Sequence, residues 1–455
     1  MNGTKKEMKR KTSKAKYRPK EEVRMEEAKQ NQEKQQLDRI KIDVVSVPFS
    51  GHLYPALTLV YPLLAEEKYQ IRIFTGEEKI ELVKKLGFET VTLLKDKPKA
   101  LETIANTSMK NDFLGSLRQF KQSTALLSDI IEDLKQEWTK NRPDIVLADF
   151  VSVVGGMACR ELQIPWITCI PSPFAIESRN TTPSYLGGWK PHPGLLYQFR
   201  DAVGRQLIHQ FKRLAFFLFR KNLGAYQNFE VFDENGYERI YSPYSILGLG
   251  MEEMEFRKDF PPQFRWAGYH CLSFEELTTW RKPSTAPDEK LVLLTCGSHL
   301  PWAKKELIQM AEILGRDYPH FQFLISFGMR HRKEKKPKRI RDNIWIYPYL
   351  PYHQVLPEVD YVVHHGGAGI LYNCIEYGKP AVIIPRDYDQ FDYAVRADMA
   401  GIAKVCKKGK AKCLRKAFSE LVKDKEQKAL KQMQKDWSKY KPTKVLLEEM
   451  DRLLK

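Results

Sequence analysis

The chain has 455 residues, 42% of them apolar and 11% aromatic, with only 25 glycines and 26 prolines, so it can bury sizeable cores, and collagen-like, low-complexity and wholly disordered chains are excluded. Lys and Arg outnumber Asp and Glu by 75 to 57, a formal charge of +18; that sign points to anionic partners (phosphorylated substrates, anionic lipid or nucleic acid) and says nothing of the fold. No apolar run approaches the ~20 residues that span a bilayer, and the seven cysteines include no Cys-x-x-Cys pair, which argues against a disulfide scaffold or a structural zinc site and for a reducing cytosol.

Residues 1–40 read as a basic, disordered tail. The first twenty carry nine basic side chains against one acid, with too few apolar residues to offset the entropy of ordering and no apolar core of a secretory signal. Residues 42–48 then form a β-branched run that predicts a buried strand. A loop is expected at 49–51, an apolar helical pattern at 55–66 and a second strand at 71–75, a βαβ unit with a parallel sheet. Strands at 144–148 and 166–170 continue the alternation, with a helix at 151–161 between them. Around residues 175–240 the rhythm breaks: Pro183, Gly187, Gly188, Pro191, Pro193 and Gly194 mark a long loop. After it, residues 195–221 repeat Leu196, Phe199, Val203, Leu207, Phe211, Leu214 and Leu218 at helical spacing, with Arg200, Arg205, Lys212, Arg213, Arg220 and Lys221 between them. Such a stripe reads either as core packing or as a surface for a lipidic acceptor or a membrane.

Residues 273–288 are polar, contain Pro283 and Pro287, and predict a linker. A second series of strands is expected at 291–295, 321–326, 344–347, 361–364 and 381–384. Two further basic runs interrupt it, 330–341 with eight basic residues against one acid and 404–416 with seven against none. The pattern predicts an α/β chain of two Rossmann-like, doubly wound parallel-sheet domains facing a central cleft. Their bounds are 41–272 and 289–455, with the last helix packing back on the first domain. In open parallel sheets, ligands sit at the carboxyl ends of strands.

Candidate chemistry lies at those ends. His364-His365-Gly366-Gly367-Ala368-Gly369 follows a predicted strand and opens a helix. Glycines there let the backbone approach an anion, and the helix start offers free N–H groups; the plain alternative is a tight turn with a buried histidine. Downstream come Gly378-Lys379-Pro380, a strand, Pro385 and Asp389-Gln390. The whole run HHGGAGILYNCIEYGKPAVIIPRDYDQ resembles the nucleotide-sugar signature of the family 1 glycosyltransferases, enzymes of GT-B architecture that include bacterial natural-product, macrolide-type transferases. In the first half, Pro48-Phe49-Ser50-Gly51-His52-Leu53-Tyr54-Pro55 looks like that family's acceptor-side turn, and residues 143–149, ending in Asp149, like its partner-aspartate segment. Taken alone, His52 is a loop histidine and Asp149 a helix N-cap.

The resemblance implies an inverting, metal-independent hexosyltransferase. His52 would be the catalytic base and Asp149 its partner, with a hydroxyl of a lipophilic small molecule or lipid as acceptor. Gly297, Ser298, Leu350, His365, Gly366, Gly367, Ala368, Gly369, Asn373, Asp389 and Gln390 would bind the donor, and no cofactor would be needed. Asp387-Tyr388-Asp389 spells a metal-binding Asp-x-Asp, yet lies where the family places its sugar-binding Asp-Gln pair. Three positions depart from the usual pattern: Cys296, Ile370 in place of a hydroxyl residue, and Asn373 in place of a ribose-gripping Glu. The last favours a dTDP-sugar, which lacks the 2′-hydroxyl, over a UDP-sugar, and a deoxyhexose such as rhamnose is compatible. The chain is expected in the cytoplasm, at the inner face of an anionic membrane. A catalytically silent GT-B partner protein and a nucleotide-sugar epimerase share the fold; a basic nucleic-acid-binding protein would need aromatic platforms that the basic runs lack.

Overall fold

The computed structural model describes residues 39–100, 103, 121–271, 280–283, 288–297, 303–328, 336–387, 389–407 and 409–455. The expected tail, most of the linker, Ser298, Tyr388 and part of the 330–341 basic run lie outside the described residues.

Among the described residues, the first half builds one seven-stranded sheet: β1 (Ile40–Val45), β2 (Tyr69–Thr75), β3 (Glu89–Thr92), β4 (Ile145–Asp149), β5 (Trp166–Ile170), β6 (Ile246–Gly248) and β7 (Phe264–Trp266). Their order is β3-β2-β1-β4-β5-β6-β7, every pair parallel. Connecting helices are α1 (Ser50–Val60), α2 (Glu77–Lys85), α3 (Leu127–Lys140), α4 (Val153–Leu162) and α5 (Leu195–Phe219). The second half repeats the plan with β8 (Lys290–Thr295), β9 (Phe321–Ser326), β10 (Lys338–Arg341), β11 (Ile344–Tyr347), β12 (Tyr361–His364), β13 (Ala381–Ile383) and β14 (Ala403–Val405). The order there is β10-β11-β9-β8-β12-β13-β14, parallel except for the edge pair β10–β11. Helices α6 (Ala303–Asp317), α7 (Tyr352–Val355), α8 (Ala368–Glu376), α9 (Gln390–Met399), α10 (Ala411–Lys423), α11 (Lys428–Trp437) and α12 (Pro442–Leu453) complete it.

Both sheets are doubly wound. In each, the strand order reverses at one place, between β1 and β4 in the first and between β8 and β12 in the second, and a ligand crevice belongs at such a switch point. The central strands are buried on both faces, as continuous apolar runs such as residues 291–294 require.

Helix α1 shows how the pattern dictates packing. Leu53, Ala56, Leu57 and Val60 fall at helical spacing and all are at most 1% exposed. The same core takes in Leu371, Tyr393 and Leu446 from the second half. Helix α12 crosses back: Thr443 Oγ1 donates to Leu59 O at 2.9 Å, Arg452 to Tyr244 O at 2.7 Å, and Glu449 pairs with Arg265 at 2.6 Å.

Three differences from the expected elements bear on the site. The loop before α1 spans residues 46–49 and not 49–51, because the helix begins at Ser50 and carries Pro55 in its second turn. Helix α4 starts at Val153, two residues later than expected, and Asp149 belongs to β4. The stripe on α5 is no core packing, since only Asp201, Gly204 and Ala215 of that helix are buried.

Candidate active site

Strands β1 and β4 are neighbours, so the segments leaving their carboxyl ends meet. His52 sits in the first turn of α1 and Asp149 ends β4. His52 Nδ1 lies 3.0 Å from Asp149 Oδ1. Asp149 is 2% exposed, and its Oδ2 accepts the Val151 N–H at 3.2 Å, so both carboxylate oxygens are held. An ionised carboxylate only accepts, so Nδ1 carries the proton and Nε2 is left as the basic nitrogen. Burial opposes a charge on the ring, but Asp149, through charge and hydrogen bond, and Asp389 outweigh it, so the His52 pKa lies above its ordinary 6.5. Asp149 is not the N-cap of α4, a place held by Ser152.

The second sheet repeats the arrangement. Register sets His364 opposite Thr295, which brings the turn after β8 beside the turn after β12. Gly297 (φ +73°) and Gly366 (φ +91°) both take the left-handed backbone. A Cβ on Gly366 would lie 2.8 Å from Ile383 and 3.2 Å from the Gln390 carbonyl, so no side chain fits there. The His365 ring lies against two glycines: a Cβ on Gly297 would come 3.0 Å from its Cε1, and one on Gly367 would come 2.6 Å from its Nε2. The N–H groups that open α8 at Ala368 therefore start beside an imidazole, at the positive end of the helix. His364 is buried and its Nδ1 accepts the Gly366 N–H at 3.0 Å; burial first, then neighbouring His365, push its pKa down to about 3, so it stays neutral.

Asp389 joins the two halves. Ser172 Oγ, two residues past β5, donates to Asp389 Oδ2 at 2.7 Å and lies 3.2 Å from Tyr393 Oη, which itself donates to Pro171 O at 2.6 Å. Burial raises the Asp389 pKa, while Ser172 and His52 act the other way. The sequence reasoning missed Ser172; its one available signal was its place just past a parallel strand. Gln390 Oε1 accepts the N–H groups of Arg386 and Asp387 at 2.9 and 3.1 Å, which frees its Nε2 to donate elsewhere. Asn373 points inward, its Nδ2 donating to Gly369 O at 2.7 Å and to Cys271 Sγ at 2.9 Å. Leu350 is a core residue, 2% exposed. A pocket opens between Phe174, Ile176, Tyr185 and the inner side of α5 at Arg205, Ile208 and Lys212.

Residues 322–450 match the family described as Erythromycin biosynthesis protein CIII-like, C-terminal domain. The chain is 25% identical over 375 residues to the NDP-glycosyltransferase YjiC of Bacillus subtilis, covering 80% of this chain and 84% of that protein. It is 24% identical over 411 residues to a sterol 3-beta-glucosyltransferase of Komagataella phaffii, covering 84% of this chain and about a third (32%) of that longer protein. Among solved structures, the glycosyltransferase VinC in complex with dTDP superposes with a TM-score of 0.61 at 18% identity, over 91% of this chain and 99% of VinC. The two switch-point turns on parallel sheets give the chain the GT-B architecture of these solved glycosyltransferases, and its matches support a glycosyltransferase that resembles family 1.

Proposed function

We propose that the protein moves a hexose, deoxyhexoses such as rhamnose included, from a nucleotide diphosphate sugar to a hydroxyl of a lipophilic acceptor, with inversion and without a metal ion. The observation that carries this reading is the His52–Asp149 pair at 3.0 Å, with Asp389 of the other half near enough to act on His52. An acceptor hydroxyl is a poor nucleophile at neutral pH, so a placed base is needed. His52 Nε2 takes the hydroxyl proton, and Asp149 steadies the imidazolium that results. The hydroxyl oxygen bonds to the anomeric carbon as the bond to the diphosphate oxygen breaks on the opposite face. Charge then collects on the departing diphosphate. The N–H groups of residues 367–369, His365, Gly297 and Ser298 receive it, while Gly366, its own N–H held by His364, shapes the turn. Asp389 and the free Nε2 of Gln390 hold sugar hydroxyls, while the side chains of Leu350 and Asn373, turned into the core, stand behind the nucleotide and do not grip it. Residues 41–272 thus serve the acceptor and 289–455 the donor, with 273–288 as linker.

The diphosphate contacts are all protein donors, so turnover in EDTA should equal turnover in buffer. A loss with EDTA that a divalent cation restores would overturn the metal-free assignment. For the nucleotide, the absent carboxylate at Asn373 removes the usual grip on two ribose hydroxyls. Calorimetry should therefore show dTDP binding at least as tightly as UDP; a clear preference for UDP refutes the choice of donor.

A further inference from the structure

Helix α5 runs 25 residues, about 37 Å at ~1.5 Å per residue, and one side of it packs on described residues of the first half. Gly204 lets it close on the preceding loop, where a Cβ would lie 2.7 Å from the Trp189 ring and 2.8 Å from Pro183. On the same inner side, Lys212 pairs with Glu177 at 3.2 Å and Glu238 at 2.5 Å, while Arg205 donates to Thr181 O at 2.6 Å. The outer side carries Leu196, Phe199, Val203, Leu207, Leu214 and Phe217, exposed by 77, 69, 42, 60, 50 and 59%. Steps of three, four or seven residues put these side chains on one face. Monomeric soluble proteins rarely leave so long an apolar stripe in water, and such a stripe marks a surface that is covered in use.

Charge says what covers it. From Leu195 to Lys221 the only acid is Asp201, which is buried and paired with Arg200 at 2.6 Å. Arg213 and Arg220 are exposed along the stripe, and Lys221 follows. Two copies of this face would bring like charges together, whereas an anionic lipid surface complements both the stripe and its basic rim. Among the described residues no helix is long and apolar enough to cross a membrane, so α5 would lie in the interface plane. Its opposite side lines the pocket at Phe174, Ile176 and Tyr185.

We propose that α5 docks on an anionic bilayer and that the pocket beneath it takes its acceptor from that bilayer. This rests on the reading of the acceptor as lipophilic and adds where it comes from.

The test is flotation of the full chain with vesicles of phosphatidylcholine alone and of phosphatidylcholine with phosphatidylglycerol, at low and high salt. The wild type should float with the anionic vesicles. Phe199→Ser, Leu207→Ser and Phe217→Ser combined should lower that partition at least about tenfold, since three side chains leave the lipid. Arg213→Glu with Arg220→Glu should abolish the preference for anionic vesicles. Unchanged dTDP binding by calorimetry certifies the fold of both variants. Flotation that the triple variant leaves intact would shift the contact to the basic runs and overturn the assignment to α5. A wild type that ignores both vesicles, yet forms a dimer that the triple variant abolishes, would give the face to a second copy. Flotation is read without turnover, so a protein that floats but transfers no sugar sinks the glycosyl-transfer reading alone, and one that transfers but never floats sinks this one alone.

Discussion

Replacing His52 by Ala should lower single-turnover transfer by ~10²–10⁴-fold, the range that a placed general base contributes, while leaving nucleotide affinity unchanged. The proposed nucleotide contacts lie on the other sheet, whereas His52 Nε2 is the basic nitrogen left once Asp149 holds Nδ1 at 3.0 Å. Asp149→Asn should cost less, because the amide can still meet the ring. The double variant should be little worse than His52→Ala, since groups that act as a unit are strongly non-additive. The pH profile adds an independent reading. The base works only when neutral, and its pKa lies above 6.5 because Asp149 and Asp389 outweigh burial. The acid limb of kcat/KM should therefore lie above pH 6.5 and move down in Asp149→Asn, where one of those charges is gone. By linkage, the pairing adds to folding stability below pH 6.5, the value in the unfolded chain, and that contribution fades as pH rises through the folded value. A purely structural Asp149, holding only the Val151 N–H, would instead cost about 1–3 kcal/mol of stability and leave transfer per folded molecule unchanged. Full transfer by His52→Ala removes the mechanism; additive losses in the double variant remove the pairing.

Glu255→Ala should destabilise the fold by about 3–5 kcal/mol, the usual cost of stranding one member of a buried ion pair. Arg396 Nε meets Glu255 Oε2 at 2.7 Å, and both side chains are 3% exposed. The guanidinium also lies over the rings of Phe174 and Phe256, at 4.3 and 4.5 Å from their centroids. Glu255 belongs to the first half and Arg396 to α9 of the second, so the charge left behind would sit between the two sheets. Asp392 offers poor compensation: burial pushes its carboxyl up to about 6, against the pull of Arg396. Replacing both partners, as Glu255→Leu with Arg396→Met, should recover most of the loss, because apolar residues of similar volume leave nothing uncompensated. Chemical denaturation of the three variants decides this, and a Glu255→Ala cost below ~1 kcal/mol would show that the pair does not hold the halves together.

What the sequence made legible follows from burial. Strands β5, β9, β11 and β12 were expected with their observed bounds, because strands inside a sheet read as unbroken apolar or aromatic runs. The strands it left out are mostly edges: β3 (ETVT) and β10 (KRIR) are half solvated and carry polar residues that no periodicity distinguishes from loop. Strands β6 and β7 are three residues each, too short to show a period. At the candidate site, the glycines around residue 366 announced themselves, since a left-handed turn demands them. Ser172 did not, because its meaning depends on Asp389, 217 residues away. Helix α5 shows a different limit. Periodicity reports that one face is apolar and cannot report what that face touches.

The return of α12 onto α1 sets a schedule as well as a packing arrangement. Thr443 and the Leu59 carbonyl it holds are 384 residues apart. A ribosome adds about 5–20 residues per second, so the seat on α1 waits roughly 20–80 s after it is made before its occupant exists. Through that interval the apolar side of the first sheet's helices has no native cover, and a nascent chain in that state is a natural client for chaperones that shield hydrophobic surface.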